Sequence, residues 1–251
     1  MKLLRDTWII YQRQMTLVVR TPIRLVIGFV QPLAYMLLFA PLLKSALGTP
    51  TYAEAYRVYV PGLLIVLVLF SGFFVGFSLI AELRQGIIEK SRVTPVSRFA
   101  LLLGRALSEV TTMMAQAVVI TLLALPFGLT LSIGPLLLAY LVLTLMGLLA
   151  SAVSYAMALQ IKNVAALGPL INTVSQPLAL LSGVLLPMAF APLWLVSVAK
   201  VNPFYWATEG VRRLFDGQVF ELEVGVSFLV AVLGSALAVV WATRMFAERV
   251  R

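Results

Sequence analysis

The side chains able to do covalent or metal chemistry are scarce in this 251-residue chain, which has no His and no Cys. That removes thiolate nucleophiles, Ser-His-Asp triads, His/Cys zinc sites, haem ligation by His and disulfides. Asp and Glu together number 10, and within the long apolar runs the acids reduce to Glu109. Glu109 follows Arg105 at (i, i+4) spacing, so it reads as half of a helix-face pair or, failing that, as a gating or coupling contact. An ion-driven carrier would bury carboxylates near the middle of its spans, and that pattern is missing. A phosphate-binding loop needs Gly-rich backbone ahead of Lys and Ser/Thr. None of Lys2, Lys44, Lys90, Lys162 and Lys200 follows a Gly, so the sequence carries no ATP site. What remains inside the apolar runs is mild: Gln31, Tyr35, Ser71, Ser78, Thr111, Thr112, Gln116, Asn172, Thr173, Ser175 and Gln176.

The elements that must position these groups follow from composition. Hydrophobic residues make up 61% of the chain and charged residues only 12%, whereas a soluble domain is about half apolar and roughly a quarter charged. The expected fold class is therefore an all-α integral membrane protein. Charge-free runs and proline breaks place six spans near 24–43, 58–81, 107–129, 135–160, 164–187 and 224–243. The break between the third and fourth falls at Pro126 to Gly128 and at Gly134 to Pro135. Residues 1–22 are not a cleavable signal, because Lys2, Arg5, Arg13 and Arg20 interrupt them. Leu3, Leu4, Trp8, Tyr11, Met15, Val18 and Val19 recur there at helical spacing, which predicts an amphipathic interfacial helix.

The net charge of +9 is topological rather than a nucleic-acid signal. With both termini inside, 14 of the 19 Lys and Arg fall on the inner segments, as the positive-inside rule requires. The five outer cations are matched by Glu54, Glu209, Asp216, Glu221 and Glu223, so the whole excess faces the cytoplasm and its anionic lipid.

Two non-spanning stretches stand out. The inner loop 82–105 mixes basic residues with Glu82 and Glu89, bends at Gly86 and stops a helix at Pro95. It reads either as a solvated basic loop or as a short helix docking in a groove of a cytoplasmic partner. The outer segment 188–223 is aromatic-rich, and its apolar part 193–199 is too short to cross. It reads as an aromatic belt anchor or as a re-entrant hairpin closing the exit of a pathway.

Three local patterns then coincide: Glu82, Arg84 and Gly86, followed by Glu89 and by Arg92 through Arg98; Ser175 to Pro177 with Leu181 to Gly183 and Pro187; and Asn202-Pro203 with Arg212 and Arg213 downstream. In order and spacing they resemble the membrane subunit of ABC-2-type exporters, the permease group that includes daunorubicin-resistance pumps. The resemblance spans essentially the whole chain, a single transmembrane domain over 1–251. It implies a homodimer of permeases with two ABC nucleotide-binding ATPases, in a two-plus-two complex of the cell (inner) membrane. ATP and Mg would be held by the ATPase, with no cofactor on this chain. It implies that residues 1–22 form a connecting helix that also touches the ATPase. It assigns ATPase coupling to Glu82, Arg84, Gly86, Glu89, Arg92, Thr94 and Pro95, and an outer gate to Ser182, Gly183, Pro187, Asn202 and Pro203.

For the pathway between those ends, Gln31-Pro32 and Gln176-Pro177 either satisfy freed backbone carbonyls locally or line a cavity. Phe70, Phe73, Phe74 and Phe77 either pack toward lipid or form an aromatic wall suited to a lipophilic or amphipathic cargo. The candidate path is Gln31, Tyr35, Phe73, Phe77, Asn172 and Gln176. The expected function is the permease of an ATP-driven exporter of drug-like or lipid-like molecules. A polysaccharide or teichoic-acid precursor is the alternative cargo, disfavoured by the lack of a carbohydrate-binding extension at residue 251. A channel or membrane enzyme is remote, given the thin polar lining and missing catalytic groups.

Overall fold

In a computed structural model, residues 2–47, 51–84, 98–184 and 188–249 are described. They form ten α-helices and no strand. Helix α1 is Lys2–Arg20, α2 Pro22–Leu47, α3 Tyr52–Phe74, α4 Gly76–Arg84 and α5 Arg98–Ala124. Then come α6 Ile133–Ile161, α7 Val164–Leu181, α8 Leu193–Ala199, α9 Pro203–Phe215 and α10 Leu222–Arg249. Among the described residues, five helical stretches are long and apolar enough to cross a membrane: Tyr52–Arg84, Phe99–Phe127, Ile133–Ile161, Val164–Leu181 and Leu222–Phe246. Helix α2 adds a shorter apolar stretch, Gly28–Phe39.

The helices overrun the charge-free runs. Helix α3 starts at Tyr52 rather than near 58, because Thr51 caps it: its side chain accepts from the Glu54 amide at 3.4 Å, and Glu54 sits in the first turn. Helix α5 starts at Arg98, so the last part of the 82–105 segment is helical. The turn after it is placed by Pro126 and Gly128: a short 3-10 turn spans Leu125–Phe127, and Gly128 takes φ 92°, a left-handed conformation suited to glycine.

The core is built on α3 and α6. Val60, Leu64, Ile65, Val68 and Leu69 of α3 and Leu143, Met146 and Ala150 of α6 are fully or almost fully buried. Full burial of such a side chain stabilises by about 1.5–3 kcal/mol in water; inside lipid, packing takes over that role. The apolar stretch Tyr52–Arg84 is broken where α3 hands over to α4. The Ser154 hydroxyl of α6 accepts from the Gly76 amide at 2.9 Å and donates to the Phe73 carbonyl. Ser154 thus supplies the bonds that a broken helix lacks.

Helix α1 lies against α5. Gly104 passes under the Thr7 carbonyl and the Ile10 side chain. The Tyr11 hydroxyl donates to Thr111 Oγ1 at 3.3 Å. The predicted apolar stripe splits: Val18 is buried and Tyr11 and Met15 turn partly inward, while Leu4, Trp8 and Val19 remain exposed.

Candidate functional site

Three groups of residues matter: an ion-paired end, a central cavity and a hairpin at the opposite end. At the first, the Arg105 guanidinium pairs with the Glu82 carboxylate, and Gln14 Nε2 donates to the other oxygen of Glu82 at 3.4 Å. One carboxylate thus joins α1, α4 and α5. Arg105, expected to pair with Glu109 on its own helix face, also forms an ion pair that reaches 23 residues back to Glu82. Both side chains are largely buried, so removing either one would strand a charge. Arg84 is exposed nearby. Gly86, Glu89, Arg92, Thr94 and Pro95 lie outside the described residues.

The cavity measures about 510 Å³, within the usual range for small-molecule sites. Helices α2, α3, α5 and α7 wall it, with Val18 of α1 at one side. Its apolar wall includes Phe70 and Phe74; its polar groups are Tyr35, Ser71, Glu109, Thr112, Gln116, Asn172 and Gln176. Of the path residues expected from sequence, Tyr35, Asn172 and Gln176 line it. Phe73 lies in the core, 6.3 Å between ring centroids from Phe204. Phe77 stacks on Phe74 at 5.6 Å and is not part of the lining. The backbone of Gln31 is in α2, and its side chain lies outside what is described. Gln116 and Glu109 were not assigned to the path. Gln116 is buried against Gly28, where a Cβ would stand 2.5 Å from its Nε2. The missing side chain at Gly28 is what lets the amide fit between α2 and α5. The helical spacing of Glu109, Thr112, Met113 and Gln116 is the signal that would have grouped them on one face.

The far end is organised by α9. Asn202 caps it, accepting from the Phe204 amide at 3.0 Å, and Pro203 occupies the first helical position. The same Asn202 side chain donates from Nδ2 to the Leu178 carbonyl of α7 at 2.7 Å. Ten residues on, buried Arg212 donates to the Gly183 carbonyl at 2.6 Å, to the Val58 carbonyl at 3.4 Å and to Glu209 at 2.8 Å. Phe204 faces Phe73 while Arg212 reaches Val58, positions separated by roughly 20 Å along α3 at 1.5 Å per residue. Helix α9 therefore runs down into the bundle, with exposed α8 leading into it. Of the expected gate residues, Asn202, beside Pro203, bonds to Leu178, while Gly183, beside Ser182, is held by Arg212; Pro187 lies outside the described residues. Val184 follows, and its carbonyl packs on the bare backbone of Gly62. Arg212 is the organising group that the sequence reading left out of the gate. At the end of α9, burial pushes the Asp216 carboxyl above its ordinary value, opposed by Arg57, Arg213 and Arg212.

No group of three or more metal-ligating side chains is found among the described residues. The architecture is thus a helical bundle with a mostly uncharged cavity and a buried polar staple at one end. Comparison with known proteins gives the family. The family model described as ABC-2 type transporter matches residues 5–215. A protein of Porphyra purpurea named "Putative transport permease ycf38" is 26% identical over 219 residues, covering 86% of this chain and 75% of its own length. Its counterpart in Cyanophora paradoxa is 24% identical, over 92% of this chain and 85% of that protein. The daunorubicin resistance ABC transporter permease protein DrrB1 of Streptomyces coeruleorubidus is 25% identical, over 88% of this chain and 77% of its own. A match of that extent, on an all-helical chain with several membrane-length apolar helices, assigns the fold to a transport permease: the chain belongs to the ABC-2 type transporter family.

Proposed function

We propose that this chain is the membrane permease of an ATP-driven exporter, moving a lipophilic or amphipathic molecule from the cytoplasm or inner leaflet. A separate ABC ATPase, holding ATP and Mg, would supply the energy. The observation that carries the reading is the cavity between α2, α3, α5 and α7. Its volume suits a small organic molecule, and its walls are aromatic and amide groups rather than a ring of charges. The relative DrrB1, whose name records daunorubicin resistance, supports a drug-like cargo.

The proposed arrangement has six spans, α2 counting as the first, both termini in the cytoplasm of the inner membrane, and two permease copies with two ATPases. Helix α7 supports the pairing. Asn172, Thr173 and Gln176 are exposed on a helix apolar enough to span. Amides facing lipid cost free energy, so a second copy or a polar path is the environment that suits them. The Glu82–Arg105 pair, with Gln14, would pass motion from the coupling segment 82–105 to α1 and α5, and the coupling role falls on Glu82, Arg84, Gly86, Glu89, Arg92, Thr94 and Pro95. Asn202 and Arg212 hold the hairpin that would gate the outer exit.

The experiment is reconstitution in liposomes with and without a co-purifying ABC ATPase. Substrate should accumulate only with ATPase and ATP, and Glu89→Arg or Arg92→Glu should leave hydrolysis running while transport stops. Substrate movement by the chain alone would overturn the reading.

A further inference from the structure

The helix ladder of the Tyr52–Arg84 stretch is interrupted by a side chain from another helix. In an unbroken α-helix the Gly76 amide bonds to the carbonyl of Gly72, and the Phe73 carbonyl to the amide of Phe77. Here the Ser154 hydroxyl, fully buried on α6, takes the Gly76 amide at 2.9 Å and gives its own proton to the Phe73 carbonyl. A side chain inserted into the ladder is one of the few physical causes of a sharp helix bend. The bare backbone of Gly76 makes room for it, since a Cβ there would stand 2.7 Å from Ser154 Oγ.

The two sides of the break differ. Helix α3 is buried along most of its length, whereas α4 buries only Gly76, Leu79 and Ile80. Upstream, Phe70, Phe74 and Val75 line the cavity, and Phe73 meets Phe204 of α9. Downstream, Glu82 lies about 9 Å further along α4 and holds Arg105 and Gln14. We propose that Ser154 is a positioning residue for coupling: its hydroxyl sets the angle of α4 against α3, so that displacement at Glu82 reaches the cavity wall as a rotation about Gly76. This rests on the reading of the chain as an ATPase-driven permease and names the joint through which the drive passes. A joint held by one hydroxyl tilts by stretching two hydrogen bonds, while a continuous ladder would have to lose a turn. Ser78 serves as the internal contrast. It donates to the Val75 carbonyl at 2.7 Å, on the same joint, but ties nothing to α6.

The test uses the full chain in nanodiscs. The sequence has no Cys, so two introduced cysteines carry the only spin labels, and distances are read by double electron–electron resonance. One pair is Ala81→Cys on α4 with Arg244→Cys on α10; the reference pair is Glu54→Cys on α3 with Leu222→Cys on α10, all four positions being exposed. Ser154→Ala should roughly double the width of the 81–244 distance distribution and leave the 54–222 distribution unchanged, because local opening is confined to α4. Gly76→Ala, which displaces the hydroxyl without removing it, should broaden the same pair, and Ser78→Ala should broaden neither. Broadening of both pairs in Ser154→Ala, of neither, or of 81–244 equally in Ser78→Ala each overturns the proposal. In liposomes with a co-purifying ABC ATPase, Ser154→Ala should keep hydrolysis within about twofold while substrate moved per ATP falls at least about fivefold; an unchanged ratio removes the coupling role. Wild-type transport that needs no ATPase would overturn the permease reading instead, and the label distances, which need no ATPase, decide the joint separately.

Discussion

Replacing Arg212 with Gln is the most informative single change at the gate end of the molecule. The guanidinium serves three acceptors from a nearly buried position: Gly183 O at 2.6 Å, Val58 O at 3.4 Å and Glu209 at 2.8 Å. A hydrogen bond from a charged donor contributes about 1.5–3 kcal/mol, so the short bond to Gly183 accounts for about 2 kcal/mol. The long contact to Val58 adds at most about 0.5 kcal/mol, by the steep weakening of stretched bonds. The Glu209 pair lies within one helix and keeps some solvent exposure, which limits it to about 0.5–1 kcal/mol. The sum is about 3 kcal/mol, acting on the docking of α9 rather than on the whole bundle. Local opening of α9 should therefore become roughly 100-fold more frequent. Hydrogen exchange followed by mass spectrometry reads this directly, as faster exchange in peptides covering 203–215 with α6 unchanged. Arg212→Lys should recover only part of the protection, because a single ammonium cannot fan out to three acceptors. Exchange in α9 within about threefold of the wild type would refute the staple. Uniform acceleration across α3 and α6 would show that Arg212 stabilises the whole fold instead.

Three further outcomes follow from the same contacts. Ser154→Ala leaves the Gly76 amide and Phe73 carbonyl without their buried partner, and should cost about 1–3 kcal/mol in thermal or denaturant stability, with the loss concentrated where α3 meets α4. Glu82→Arg should destabilise strongly, whereas the exchange Glu82→Arg with Arg105→Glu should restore much of the melting temperature; a double variant no better than the single one would argue against the pair. Because Asp216 titrates above its ordinary value of 3.8, its share of stability is full at low pH and declines as pH rises through the folded-state value, so Asp216→Asn should gain stability relative to the wild type at neutral pH and lose that advantage near pH 3 in melting curves.

Much of the architecture was legible from composition and punctuation. Uncharged runs locate the apolar helices, and Pro126 with Gly128 marks the turn between α5 and α6 because one removes a donor and the other admits a left-handed backbone. Asn202-Pro203, expected from sequence only at the gate, is in the structure the start of α9, with Asn202 as its cap and Pro203 as its first residue. The ends of helices were less legible. Thr51 lies in a polar stretch that a search for charge-free runs skips, yet its cap extends α3 upstream. The partners of buried charges were the least legible. Spacing within α5 pointed Arg105 to Glu109, since (i, i+4) neighbours are visible in a sequence; Glu82, on another helix, is not.

The sequence by itself determined that this is a helical membrane chain without His or Cys, because those properties depend on residue type and local period alone. Only the tertiary structure decided which polar side chains meet. It withdrew Phe73 into the core against Phe204, brought Gln116 and Glu109 to the cavity wall, and turned Arg212 from one of two adjacent arginines into a link between α9, Gly183 and Val58. Such meetings follow from helix packing across long separations in the chain, and the direction of a buried side chain is set by the neighbours that surround it.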